Sequence, residues 1–161
     1  MKKRVIAVLA ALLVVMASGC GGQTGGKTSP SVDLTALYAA MAESCGWDED
    51  YMADIEGELL EEYYPGLSGI ETPQRVVKVP AMSSDVNEIV LLQCGTEEDA
   101  EKAVEILQAR IDTQVDGGAW YAETLESWRK AKVLRQGVYA ALIASGEFQE
   151  SLEGQFNEQF G

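Results

Sequence analysis

From Asp33 onward the chain switches repeatedly between two hydrophobic rhythms. Leu34, Leu37, Tyr38 and Met41 recur at helical spacing behind Asp33, whose side chain suits an N-cap, and this first helix is expected to end near Ser44, before Gly46. Met52, Ile55, Leu59 and Tyr63 continue the three-to-four spacing through an acidic stretch, although Gly57 weakens a continuous helix there and Tyr64-Pro65-Gly66 is a stop signal. The rhythm then changes. After a loop over residues 67–74, the valine-rich stretch Arg75–Met82 reads as a strand, with Pro80 pointing to an edge or an end. Ser83-Ser84-Asp85 is a turn, and Asn87–Cys94 is a second strand whose consecutive Ile89–Leu92 predict burial on both faces. The two strands are expected to pair as a hairpin.

The clearest helix follows. Thr96 is its N-cap, and Glu97, Glu98 and Asp99 complement the dipole of its first turn. Ala100, Ala103, Val104, Leu107 and Ile111 mark one apolar face, with Arg110 at its border, and Asp116-Gly117-Gly118 ends it. A shorter helix carries Trp120, Tyr121, Leu125 and Trp128. Ala131–Arg135 and Val138–Ala144 form a hairpin around Gln136-Gly137, and Ser145 caps a last helix with Phe148, Leu152 and Phe156 four apart. Helices, two strands, two helices, two strands and a helix make an α+β fold: a four-stranded, mainly antiparallel sheet with helices packed on it.

The first twenty residues follow a different logic. Lys2, Lys3 and Arg4 precede an uncharged apolar run of 12 residues, Val5–Met16. A membrane-spanning helix needs about 20 apolar residues, so this run has the length of a signal-peptide core instead. Ala17-Ser18-Gly19-Cys20 then resembles a bacterial lipobox, with Ala17 where a larger aliphatic is usual. That resemblance implies removal of residues 1–19 and a diacyl group on Cys20. Residues 20–32 become a lipidated cysteine and a Gly/Ser/Thr/Gln tether of roughly 20 Å, and residues 33–161 a single domain. Gly21–Thr28 also satisfies the phosphate-loop pattern G-x-x-x-x-G-K-[ST], but its context fails. The preceding apolar run is cleaved, Pro30 opposes a following helix, and the strand Ile89–Leu92 leads into Gln93 and Cys94 where an aspartate is needed.

Charge narrows the partners. The chain has 26 acids against 12 bases, a net −14, which falls to −17 without Lys2, Lys3 and Arg4. Such a surface repels phosphate backbones, so no nucleic acid is expected. With no histidine, the commonest general base and metal ligand is missing.

The stretch from about Met82 to Ala144 resembles the domain-of-unknown-function 4358 family, lipoproteins of clostridia-type bacteria. The likeness is carried by Ala81-Met82-Ser83, Asn87-Glu88-Ile89-Val90, the helix from Ala103 to Arg110, Gln114, Tyr121 and the hairpin Val133–Leu142, in which Val138 replaces the family's usual asparagine. The resemblance implies fold and lipoprotein status and assigns no functional residue except the lipidation cysteine.

Candidate chemistry is sparse. Ser127-Trp128-Arg129-Lys130 fits S-x-x-K, but the K-T-G and S-D-N elements of penicillin-recognising enzymes are missing from the sequence, so a solvated helix end is the reading. Between Asp48 and Glu62 lie eight acids and no Lys or Arg, yet the EF-hand pattern fails at Met52 and Ala53. Cys45 and Cys94 fit no zinc motif; a disulfide between them would close a loop of about 50 residues and stabilise by roughly 4 kcal/mol, against two free thiols as the alternative. Trp120, Tyr121 and Trp128 suit either core packing or stacking on a sugar or peptide. Arg110 is expected to pair with a carboxylate of the acidic stretch. No catalytic residue, metal or cofactor is expected. The leading expectation is a lipid-anchored, non-enzymatic binding module on the outer face of the cytoplasmic membrane, taking an envelope protein or a small molecule. The alternatives are an envelope hydrolase using carboxylates such as Glu123 and Glu126, and a divalent-cation sensor.

Overall fold

The computed structural model describes residues 31–82 and 84–161. The signal segment, Cys20 and the phosphate-loop match therefore lie outside the described residues. Among the described residues no helix is long and apolar enough to cross a membrane.

Among the described residues five α-helices and five strands form in the order α1 (Leu34–Cys45), β1 (Met52–Asp54), α2 (Gly57–Tyr63), β2 (Gln74–Pro80), β3 (Asn87–Gln93), α3 (Glu97–Thr113), α4 (Ala122–Lys130), β4 (Lys132–Gln136), β5 (Tyr139–Ser145) and α5 (Gln149–Glu158). Local chemistry sets their ends. The Asp33 carboxylate accepts the Ala36 N–H at 3.0 Å, and the Thr96 hydroxyl accepts the Asp99 N–H at 3.1 Å, each satisfying an orphan donor of a first turn. Gly46 closes α1 at φ 68° in a left-handed cap. Ser145 takes the Phe148 N–H on its hydroxyl while its own N–H donates to the Gln149 side chain, a reciprocal cap for α5.

The sheet is fully antiparallel, in the order β1-β2-β3-β5-β4. Val90 and Leu92 of β3, with Ala140, Leu142 and Ala144 of β5, face one core shared with α2, α3 and α4. Ile89 and Leu91, with Tyr139, Ala141 and Ile143, face a second core under α1 and α5. The central strands are therefore covered on both sides, which is why Ile89–Leu92 runs apolar without a break. Three alanines of β5, Ala140 and Ala144 on the α2–α4 side and Ala141 on the α1/α5 side, let the layers approach closely.

The acidic stretch departs from the expected helix and supplies the fifth strand. Met52 and Ile55, three apart, would share one side of a helix; in β1 and its continuation they bury into opposite cores, as strand alternation requires. With α2 starting only at Gly57, Leu60 is buried and Leu59 is 44 % exposed. The expectation of four strands is corrected to five, because a three-residue edge strand is too short to show its period.

Val32, placed in the tether by sequence, is buried and belongs to the domain. Its N–H donates to the Tyr139 hydroxyl at 3.1 Å, and its carbonyl accepts from Gln74 Nε2 at 2.9 Å. The same Gln74 side chain takes the Leu34 N–H at 3.0 Å and donates to Gln93 Oε1 at 2.7 Å. Replacing Gln74 with Ala strips partners from all three, so Gln74→Ala is expected to cost about 1–3 kcal/mol in urea unfolding, with an unchanged m-value.

Candidate functional site

Glu88 is 3 % exposed, on a strand with no solvent-facing side. Alternation puts it in the row of Val90 and Leu92, under α3, opposite Ala144 of β5. A lone carboxylate there would be prohibitively desolvated. Arg110, near the end of α3, answers it side-on: Nε donates to Oε1 at 2.9 Å and Nη2 to Oε2 at 2.8 Å. Tyr64, fully buried at the end of α2, donates its hydroxyl to Oε1. The guanidinium lies over the Tyr63 ring at 4.3 Å and near the Trp128 ring at 5.3 Å, so aromatic faces from α2 and α4 shield it. Glu61 holds the turn after these tyrosines by accepting the Gly66 and Ser68 N–H groups at 2.9 and 3.1 Å.

Above this pair opens a groove of about 790 Å³, reaching from Pro80 and Ala81 across Glu88 and Arg110 to Gln114 and the start of α4. Its far wall is the segment Gly118–Tyr121, swung out by a wide turn over Gln114–Gly118 in which Gly117 adopts φ 144°. Trp120 and Tyr121 stand at its mouth, 89 % and 69 % exposed, and Met82 nearby along the chain is 66 % exposed. A second hydrogen-bonded chain stiffens the same end of the sheet: Ser145 donates to Asn87, Asn87 to the Tyr51 hydroxyl, and Tyr51 to Asp85.

The sequence-derived candidates fall unevenly around this groove. Trp120, Tyr121 and Trp128 converge on it, but Trp128 is buried in the core while the other two are free. Arg110 is paired as expected for a structural cation, with the partner corrected: the carboxylate is Glu88 of β3, not one from the acidic stretch. Asp54 of that stretch is engaged by Lys78 at 2.7 Å, and among the described residues no cluster of three or more acidic or cysteine side chains is placed to hold a metal ion. Ser127 donates to the Glu123 carbonyl at 3.1 Å inside its own helix, and Lys130 is exposed. Glu123 lines a side cavity of about 310 Å³ with Tyr121 and Ser127, whereas Glu126 is on the exposed face of α4. Cys45 and Cys94 are both free, in place of the disulfide considered for them: Cys45 packs on the α1/α5 core and Cys94 lies in the opposite one, with the sheet between them. Burial, with Asp99's charge adding, pushes the Cys94 thiol up to about 11, so it stays protonated and unreactive at neutral pH.

Glu88 was not singled out by sequence reading. Its signal was present: a carboxylate in the facing row of a strand buried on both sides needs a cation, and Arg110 sat at the edge of the apolar face of α3.

A family model described as "Domain of unknown function (DUF4358)" matches residues 46–145. The matched segment holds all five strands, α2–α4 and the whole groove, and leaves out α1 and α5. No curated protein and no solved structure matches the chain.

Removing Glu88's charge strands a buried guanidinium. Glu88→Gln is expected to lose about 3–5 kcal/mol of unfolding free energy, while the apolar pair Glu88→Leu with Arg110→Met recovers most of it, both read by urea titration. Burial first, then the charge and hydrogen bond of Glu88, hold the Tyr64 phenol well above its ordinary 10.0. A folded-state value raised in this way stabilises fully below the unfolded value and is lost as pH rises beyond it. Above about pH 10, wild-type stability should therefore fall more steeply with pH than that of Tyr64→Phe.

Proposed function

The chain belongs to the DUF4358 family of domains of unknown function, and from that premise we propose that it is a lipid-anchored binding module outside the cytoplasmic membrane, attached through Cys20 and presenting the groove to a ligand. One observation carries the reading: two large aromatic side chains, Trp120 and Tyr121, are held exposed at the mouth of a preformed groove whose floor is a saturated polar network. Leaving that much aromatic surface in water has a cost that a bound partner removes. Catalysis is the weaker reading, because both Glu88 oxygens are taken by Arg110 and Tyr64 and the carboxylate has no free role as acid or base.

The placement of the groove supports attachment from the other side. Val32, where the described chain enters the sheet, sits at the end defined by Gln74, Gln93 and Tyr139. The groove lies at the opposite end, with Pro80, Glu88 and Ala144, five residue steps along β3 or roughly 17 Å away. A tether entering at that end leaves the groove clear of the attachment point.

Cells grown with a labelled fatty acid should incorporate label into the wild-type protein, and Cys20→Ala should abolish it. Wild-type protein without label, or free in the medium, overturns the anchor. For the groove, a photo-crosslinker at position 120 should yield a discrete adduct in intact cells that a crosslinker at position 150, on exposed α5, does not.

A further inference from the structure

The groove does not stand alone. A cavity of about 430 Å³ between α2 and α3 shares Glu62, Tyr63 and Arg110 with it, and the 310 Å³ cavity beside α4 shares Val86, Tyr121 and Thr124. Sharing these walls, the three adjoin as a trough across the α2/α3/α4 face, more room than a single small ligand fills. Its charge is one-sided. Among the described residues Glu62, Asp85, Glu88, Glu105 and Glu123 line it, no lysine does, and the one cation, Arg110, is already neutralised by Glu88.

We propose that this trough docks a basic peptide: an extended segment of a partner protein whose Lys or Arg side chains lie against Trp120 and Tyr121 and reach the flanking carboxylates. The inference rests on the reading of the groove as a binding surface and names its occupant. A positive side chain gains twice in such a trough, from the aromatic faces and from the uncompensated acids. The fold already uses the same chemistry inside, where Arg110 lies on Tyr63 and meets Glu88. A second copy of the chain is disfavoured, since without Lys2, Lys3 and Arg4 it would bring −17 against −17. An anionic ligand meets the same repulsion. A neutral sugar stacks on the tryptophan but leaves the carboxylates without a counter-charge.

The full-length lipidated protein in non-ionic detergent, titrated against fluorescein-labelled hexalysine, tests this. Saturable binding is expected, weakening several-fold between about 50 mM and about 300 mM salt. Trp120→Ala combined with Tyr121→Ala should weaken it about tenfold. Glu62→Gln should weaken it measurably, whereas Glu150→Gln, on the other side of the sheet, should not. If Glu150→Gln matters as much as Glu62→Gln and the aromatic variants do not matter, attraction is to the whole acidic surface and the proposal fails. If cadaverine displaces the peptide at equal concentration, the occupant is a small amine and the peptide is wrong. If chitohexaose binds in a Trp120-dependent, salt-independent manner and hexalysine does not, the basic ligand is wrong while the binding groove stands. If neither probe responds to Trp120→Ala, both the inference and the binding reading fall.

Discussion

A carboxylate on a strand with helices above and below it must find a cation or not be charged at all. Glu88 finds Arg110, and most of what is distinctive about one face of the sheet follows from that pairing. The guanidinium must lie deep, so α3 runs to Arg110 before it turns. Tyr63 and Tyr64 must cover it, so α2 ends in two aromatics and a clasped turn. Trp128 must close the third side, so α4 packs where its buried edge meets the ion pair. The pair is poor value as stabilisation, since apolar replacements of similar volume often do as well. Its effect is positional: hydrogen bonds fix α3 and the end of α2 with respect to β3, and the Trp128 ring of α4 packs beside the guanidinium.

The two faces of the sheet differ in kind. Under α1 and α5 the core is aliphatic and aromatic, closed by Tyr139, Phe156 and Phe160, and the polar pairs at its two ends, Gln74 with Gln93 and Asn87 with Ser145, are uncharged. On the other face the polar network at one end is an ion pair, Glu88 with Arg110, and the groove opens beside it. The family match covers the sheet and this second face but neither α1 nor α5, so the groove and its floor belong to the part of the chain with family resemblance.

Much of this was legible beforehand. The caps at Asp33 and Thr96, the hairpin at Gly137 and the doubly buried strand Asn87–Gln93 are set by local chemistry, and local chemistry is what a sequence displays. The edge strand at Met52–Asp54 was hidden because its three residues share their spacing with a helix, and only pairing with β2 decides between them. The site was half visible. Trp120 and Tyr121 were marked as aromatic candidates, but sequence could not say which of the three nearby aromatics would be left in water. Arg110 was marked as a paired cation, while its partner, 22 residues away, was overlooked because a glutamate at the start of an apolar strand reads as a solvated end.

The clasp on Val32 bears on how the domain would respond to force. Its two bonds hand any pull along the N-terminal segment to Tyr139 of β5 and Gln74 of β2, the strands on either side of β3. A pull on that segment is thus shared between two strands of the sheet, through one hydrogen bond to each, before it reaches α1. The first turn of α1 is thereby shielded from a pull applied upstream of it until that clasp lets go.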